Sequence, residues 1–172
     1  MDRAALDVAL KHGIACGGWC PVGRLDESGR IPDRYPVKEL ELSNKEGRSP
    51  DRPGGLETAA PWEERDVFAA RTLQNVKDSD GTVIVYCEQL HGGSEQTVRF
   101  CIEQKRPHKL IDAGKISAED AAKILAEFVR EQRIGTLNIA GPRQSEWPDG
   151  YEYAFRALDV FCRAMKSPNE CE

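Results

Sequence analysis

No run of about 18 apolar residues occurs in the 172-residue sequence, so no transmembrane helix is expected and no membrane partner. Nor is there a basic block. Lys and Arg total 24 against 29 Asp and Glu, for a formal net charge of −5. Nucleic-acid binding needs a basic face, so nucleic acid is not an expected partner, although a local basic pocket stays open. The opening MDRAALDVALKHG has neither the apolar core of a signal peptide nor the acid-poor, Arg- and Ser-rich character of a transit peptide, and a cytoplasmic location is the expectation. Histidine is scarce, at 3 residues, and the six cysteines are scattered; Cys16 and Cys20 stand as C-x3-C, not the C-x2-C of redox or zinc sites. Reduced structural thiols are expected and no metal site, with Cys20 the thiol to watch because it ends a strand beside a ligand-type loop. G-x-S-x-G, Walker and full G-x-G-x-x-G motifs are all missing, which leaves serine hydrolase, P-loop ATPase and standard dehydrogenase readings without support.

What is present is an ordinary globular balance, 40% hydrophobic and 31% charged, at a length that suits one domain over 1–172. Apolar positions Ala5, Leu6, Val8, Ala9 and Leu10 among charges predict a helix over 2–12, stopped at Gly13. A strand over 14–19 follows. Between 21 and 64 periodicity is lost and six prolines occur. Within that stretch 21–36 is expected to be ordered, while 43–61 is expected to be a flexible insertion. Further helices are expected near 62–77, 92–105, 117–132 and 151–165, and strands near 82–87, 108–112 and 136–140. Ser117 before two acids reads as an N-cap. The β-branched run at 82–87 suits a strand buried on both faces, and it and 136–140 are expected to form the central pair. The alternation predicts an α/β fold: a Rossmann-like, open, mainly parallel sheet with helices on both faces.

Three junctions carry the chemistry. IACGGWCP, YCEQLHGGSEQT and LNIAGPRQSE each run from an apolar strand into a glycine-bearing loop. In open parallel sheets, ligands sit beyond the carboxyl ends of the strands. Glycines there let backbone N–H groups approach an anion. Gly92, Gly93, Ser94 and Thr97 are therefore candidate phosphate contacts. Gly141 and Pro142 lead to Arg143, whose planar fork suits phosphate or carboxylate, and then to Ser145 and Glu146. Gly17 and Gly18 invite close backbone approach, and Trp19 is either a packed wall or a platform for a flat heterocycle. Arg24, Arg30 and Arg34 read first as surface arginines, with Arg24 retained as a candidate for a second anionic group. Asp78, Ser79 and Asp80 read as turn formers. His91 lies beside the glycine turn without a partner at metal-ligand spacing. The expected partner is a small phosphorylated ligand.

The segments DRAALDVAL, CGGWCPVGRLDESGRIPDRYP, RTLQNVKDSDGTVIV, GGSEQT and LNIAGPRQSE together resemble the putative molybdenum carrier family. That family is similar to the Rossmann-like group of the cytokinin-activating LOG proteins, sometimes mislabelled lysine decarboxylases, and looks like a circularly permuted branch of it. The resemblance implies molybdenum cofactor (molybdopterin) or a nucleotide-like ligand at the strand ends, bound without chemistry. It also implies an enzymatic alternative, because the related phosphoribohydrolases use a glutamate: Glu146 would then be the acid/base acting on nucleoside monophosphates. A nucleotide-sensing module working through the 21–64 loop is the third reading.

Family members generally carry a strand and a glycine-rich turn resembling SGGQTG ahead of the DRAALD segment; here that segment follows Met1 directly. The helix at 2–12 must still find a sheet face, and an unpaired sheet edge is costly. Rearranged sheet edges, or a homodimer that covers them, are the expectation.

Overall fold

The computed structural model describes residues 1–41 and 61–166, with side chains from 67 onward in the second stretch. The 43–61 insertion lies almost entirely outside the described residues.

Helix α1 spans Asp2–His12 and stops where Gly13 turns left-handed (φ 63°), its N–H and that of Ile14 returning to the last carbonyls of the helix. Strand β1 (Gly18–Pro21) pairs in parallel with β4 (Val37–Leu40), and between them β2 (Leu25–Asp26) and β3 (Gly29–Arg30) form a small antiparallel hairpin. The second half runs α2 (Pro61–Lys77), β5 (Gly81–Tyr86), α3 (Gly92–Glu103), β6 (His108–Asp112), α4 (Ala118–Glu131), β7 (Leu137–Ala140) and α5 (Gly150–Lys166). β5 sits between β6 and β7, parallel to both.

The pleat of β5 sets the layers. Val83 and Val85 face one way, onto Val8 of α1, Leu125 and Phe128 of α4, and Ala157 and Leu158 of α5. Ile84 faces the other way, onto Val76 of α2 and Cys101 of α3. The result is a parallel sheet with helices on both faces, as the alternation predicts. Ser117 caps α4, its hydroxyl accepting from Asp120 N at 3.1 Å. A third cluster, Cys20, Ile31 and Tyr35 with Leu6 and Val37, seats β1 and β4 against α1.

Several expectations need correction. The strand expected over 14–19 begins only at Gly18, because Ile14 is used in closing the C-terminus of α1 and is 42% exposed. β5 and β7 are neighbours, but β7 is an edge of its sheet and only β5 is central. Strands β2, β3 and β4 were not expected. Nor do the parallel strands make one sheet: β1–β4 and β6–β5–β7 are separate among the described residues. No described helix is long and apolar enough to cross a membrane.

Candidate functional site

A cleft of about 1430 Å³ lies between the two parallel sheets. β1 and β7 border it, together with residues of α1 and α5 from one helical layer and of α2 and α3 from the other. Three expected loops meet there. Gly17, Gly18 and Trp19 line it from β1, Gly92, Gly93, Ser94 and Thr97 from the first turn of α3, and Gly141, Arg143 and Glu146 from beyond β7.

The first turn of α3 opens onto the cleft through Gly92, Gly93, Ser94 and Thr97. The N-cap residue His91 makes no side-chain cap bond, and among the described residues no other side chain accepts from the N–H groups of this turn. Ser94 and Thr97 are buried, and the Thr97 hydroxyl donates to Gly93 O at 2.8 Å, which leaves its lone pairs free to accept. Gly92 is left-handed (φ 57°), a conformation that favours glycine. A Cβ placed on Gly92 would stand 4.0 Å from Glu146 Oε1, so the α3 turn and the 141–146 loop face each other across the cleft.

The loop after β7 is itself a helical turn, in which Glu146 N and Trp147 N both donate to Arg143 O, at 3.1 and 3.0 Å. The Glu146 carboxylate reaches back and accepts from Arg143 N at 3.0 Å, one half of a capping box. The Arg143 guanidinium stands 5.0 Å from the centre of the Phe68 ring and has no hydrogen-bond or ion-pair partner among the described residues.

Arg71, on α2, escaped the sequence reading. Its guanidinium carbon lies 5.7 Å from the same Phe68 ring, and its Nε is buried without a hydrogen-bond partner among the described residues. Its one ion pair is long, 3.6 Å from Nη1 to Asp2 Oδ2. Two guanidiniums thus gather about one aromatic ring in the cleft, and among the described residues the long contact to Asp2 is their single ion pair. Asn75 was missed too: it lines the cleft and accepts from Trp19 N at 2.9 Å. The available signal was that Arg71 and Asn75 stand four apart, hence on one face of α2.

Other expected residues have different work. Arg24 does not line the cleft. Its guanidinium donates to the carbonyls of Val37 (2.9 Å), Tyr35 (2.8 Å) and Pro32 (3.1 Å), pinning the β3–β4 connection, whereas Arg71 does line the cleft. Pro142 and Ser145 do not border the cleft, and the Ser145 hydroxyl donates to Glu27 Oε2 at 2.7 Å. Trp19 is a wall: its indole N–H donates to Asp78 Oδ2 at 2.6 Å and Lys38 lies over its ring. Ser79 donates to Val76 O and closes the end of α2, the local role expected of it, while Asp80 accepts from Gly135 N and Thr136 N across the fold instead of within its own turn. Cys20 is buried, and desolvation pushes its thiol pKa up, against formation of the thiolate. Among the described residues no group of three or more His, Cys, Asp or Glu is placed to hold a metal ion.

Comparison with known proteins agrees with this architecture. The model of the circularly permutated YpsA SLOG family matches residues 1–52 and 58–162. The chain is also similar to a solved structure, a putative molybdenum carrier protein from Syntrophus aciditrophicus SB, with 39% identity and a TM-score of 0.76, over 93% of this chain and 87% of that one. The comparison with curated proteins finds no match.

Proposed function

This chain belongs to the circularly permutated YpsA SLOG family, and from that premise we propose that its cleft binds and carries a small phosphorylated heterocycle, molybdenum cofactor or a nucleotide-like molecule. One observation carries the reading: two poorly partnered guanidiniums, Arg71 and Arg143, and the uncapped N-terminus of α3 border a single cleft. Phosphate is the group that rewards all three at once, through bidentate forks and backbone N–H donors. The name of the similar solved protein, a molybdenum carrier, points the same way.

The residues fit the organic and anionic parts of such a ligand. Gly92, Gly93 and Ser94 would meet the phosphate with Arg143 and Arg71. The second oxygen of Glu146 would accept from a ring N–H or a ribose hydroxyl. Trp19, Gly17 and Gly18 would wall the ring. Among the described residues no group of three or more His, Cys, Asp or Glu side chains offers a cage for a metal cation.

The enzymatic reading rests on Glu146. Its carboxylate is engaged in capping the Arg143 turn, which favours a binding role over proton transfer. Native mass spectrometry of the purified protein tests the carrier reading through the mass of any retained ligand. Incubation with nucleoside monophosphates tests the alternative: release of free base would replace the carrier with a hydrolase.

A further inference from the structure

The β2–β3 hairpin has no part in the reading above, yet it reaches the loop that presents Arg143. Its strands are held in register by Leu25 with Arg30 and Asp26 with Gly29. Its base is fixed by the Arg24 guanidinium and by Ile31 N, which donates to Arg24 O at 2.6 Å. Its side is tied to α1, where Arg3 meets Asp26 Oδ2 at 2.6 Å. From this anchored tip, Glu27 spends both carboxylate oxygens on residues more than a hundred positions away. Oε1 accepts from Gln144 N at 2.6 Å and Oε2 from Ser145 Oγ at 2.7 Å.

Those two residues are the first of the helical turn that Arg143 opens. A first turn leaves N–H groups without intrahelical partners. Glu146 satisfies Arg143 N from within the turn, and Glu27 satisfies Gln144 N from outside it. A carboxylate at a helix N-terminus is also the charge the turn's dipole favours. Neither Glu27 nor Gln144 nor Ser145 lines the cleft, whereas Arg143 and Glu146 do. Glu27 therefore grips the outer side of the turn whose inner side carries the anion-facing groups.

We propose that Glu27 is a positioning residue: it holds the 143–146 turn in the form that aims Arg143 and Glu146 into the cleft. This rests on the anion-binding reading given above. Free of the clasp, the turn keeps its internal bonds but loses the outside reference that fixes it relative to α1 and β1. Arg143 then samples positions away from Phe68, and the ligand must fund the ordering that Glu27 otherwise provides.

The test uses the full chain, AMP and inorganic phosphate as probes, and the variants Glu27→Ala, Glu27→Gln, Arg143→Ala and the double Glu27→Ala/Arg143→Ala. Glu27→Ala is expected to weaken AMP binding about fivefold to twentyfold, the range of coupling between groups in one network. Glu27→Gln, whose amide can still accept from Gln144 N and donate to Ser145 Oγ, should recover most of that loss. The double variant should lose clearly less than the sum of the two single losses, because part of what Glu27 does is done through that arginine. Amide hydrogen exchange, which needs no ligand, should show faster exchange at Gln144 in Glu27→Ala and wild-type rates in Glu27→Gln. Unchanged exchange at Gln144, or Glu27→Ala binding AMP as the wild type does while Arg143→Ala does not, would overturn the positioning role alone. Additive losses in the double variant would do the same. If wild type binds neither probe, or Arg143→Ala binds as wild type does, the anion-binding reading itself fails and takes this inference with it.

Discussion

Two adjacent glycines should respond to substitution in opposite ways. Gly92 and Gly93 both line the cleft at the start of α3. Gly92 has φ 57°, where an L side chain costs about 1–2 kcal/mol. Gly93 does not have a positive φ, and a Cβ built on it meets nothing within 4 Å. The Cβ of Gly93→Val therefore meets no clash, and helix propensity adds about 0.4 kcal/mol. Its methyls would occupy the space over the α3 N–H groups, where a phosphate would stand. Gly92→Ala should lower the denaturant midpoint by an amount equivalent to about 1–2 kcal/mol, with binding changed through strain. Gly93→Val should melt with the wild type yet bind AMP at least about tenfold more weakly, the loss of one charge-assisted hydrogen bond or more. Urea unfolding and calorimetric titration on the same preparations separate the two effects. A Gly93→Val protein that binds as the wild type does would refute the placement of the phosphate; one that fails to fold would refute the geometry of the turn.

Two further outcomes follow from packing and charge. Asp159 accepts from His12 at 2.7 Å and pairs with Lys11 at 2.8 Å and Arg163 at 2.6 Å, and the bonds to Lys11 and His12 hold its carboxyl down at about 2. A depressed carboxyl stabilises the fold above its unfolded pKa near 4, and that contribution fades as pH falls toward 2; since Lys11 and Arg163 reach solvent, it is about 1–2 kcal/mol. Asp159→Asn should therefore lower Tm by about 2–8 °C at pH 7 and by much less at pH 2, and an equal drop at both would contradict the assignment. At Gly141 an added Cβ would lie 2.7 Å from Val85 O and 2.5 Å from Met1 Cγ. Gly141→Ala should cost about 1–3 kcal/mol in urea unfolding, and a neutral result would mean that the β7 loop is looser than described.

Much of the fold was legible because local chemistry and tertiary packing agree. The run GTVIVY is β-branched and meets helices on both faces, so β5 could only be central. Gly13 ends α1 because, lacking a Cβ, it turns left-handed, and Ser117 starts α4 with its own hydroxyl. Legibility fails where partners are distant. β4 is four residues with Lys38 and Glu39 exposed, and only its parallel pairing with β1 makes it a strand. The hairpin at Leu25–Arg30 was readable from its D-x-S-G turn, in which Ser28 N donates to Asp26 Oδ1, but the prolines around it obscured the signal. The glycine loops at 17–18, 92–93 and 141 do border one cleft, as their strand-end positions foretold. Arg24 was misjudged because nothing local shows that its guanidinium returns to carbonyls seven to thirteen residues on. Arg71 was missed because a helical arginine looks the same whether it meets water or lines a cleft.

In the proposed function, Arg71, Arg143 and the α3 N-terminus form one anion site for a phosphorylated heterocycle. Native mass spectrometry of wild type and Arg143→Ala, purified side by side without denaturation, tests it most directly. Wild type should retain a small molecule that contains phosphate, and Arg143→Ala, with its fold intact by circular dichroism, should be depleted of it. A bare wild-type protein that no phosphorylated heterocycle stabilises in a thermal-shift series, or a ligand retained equally by both proteins, would contradict it.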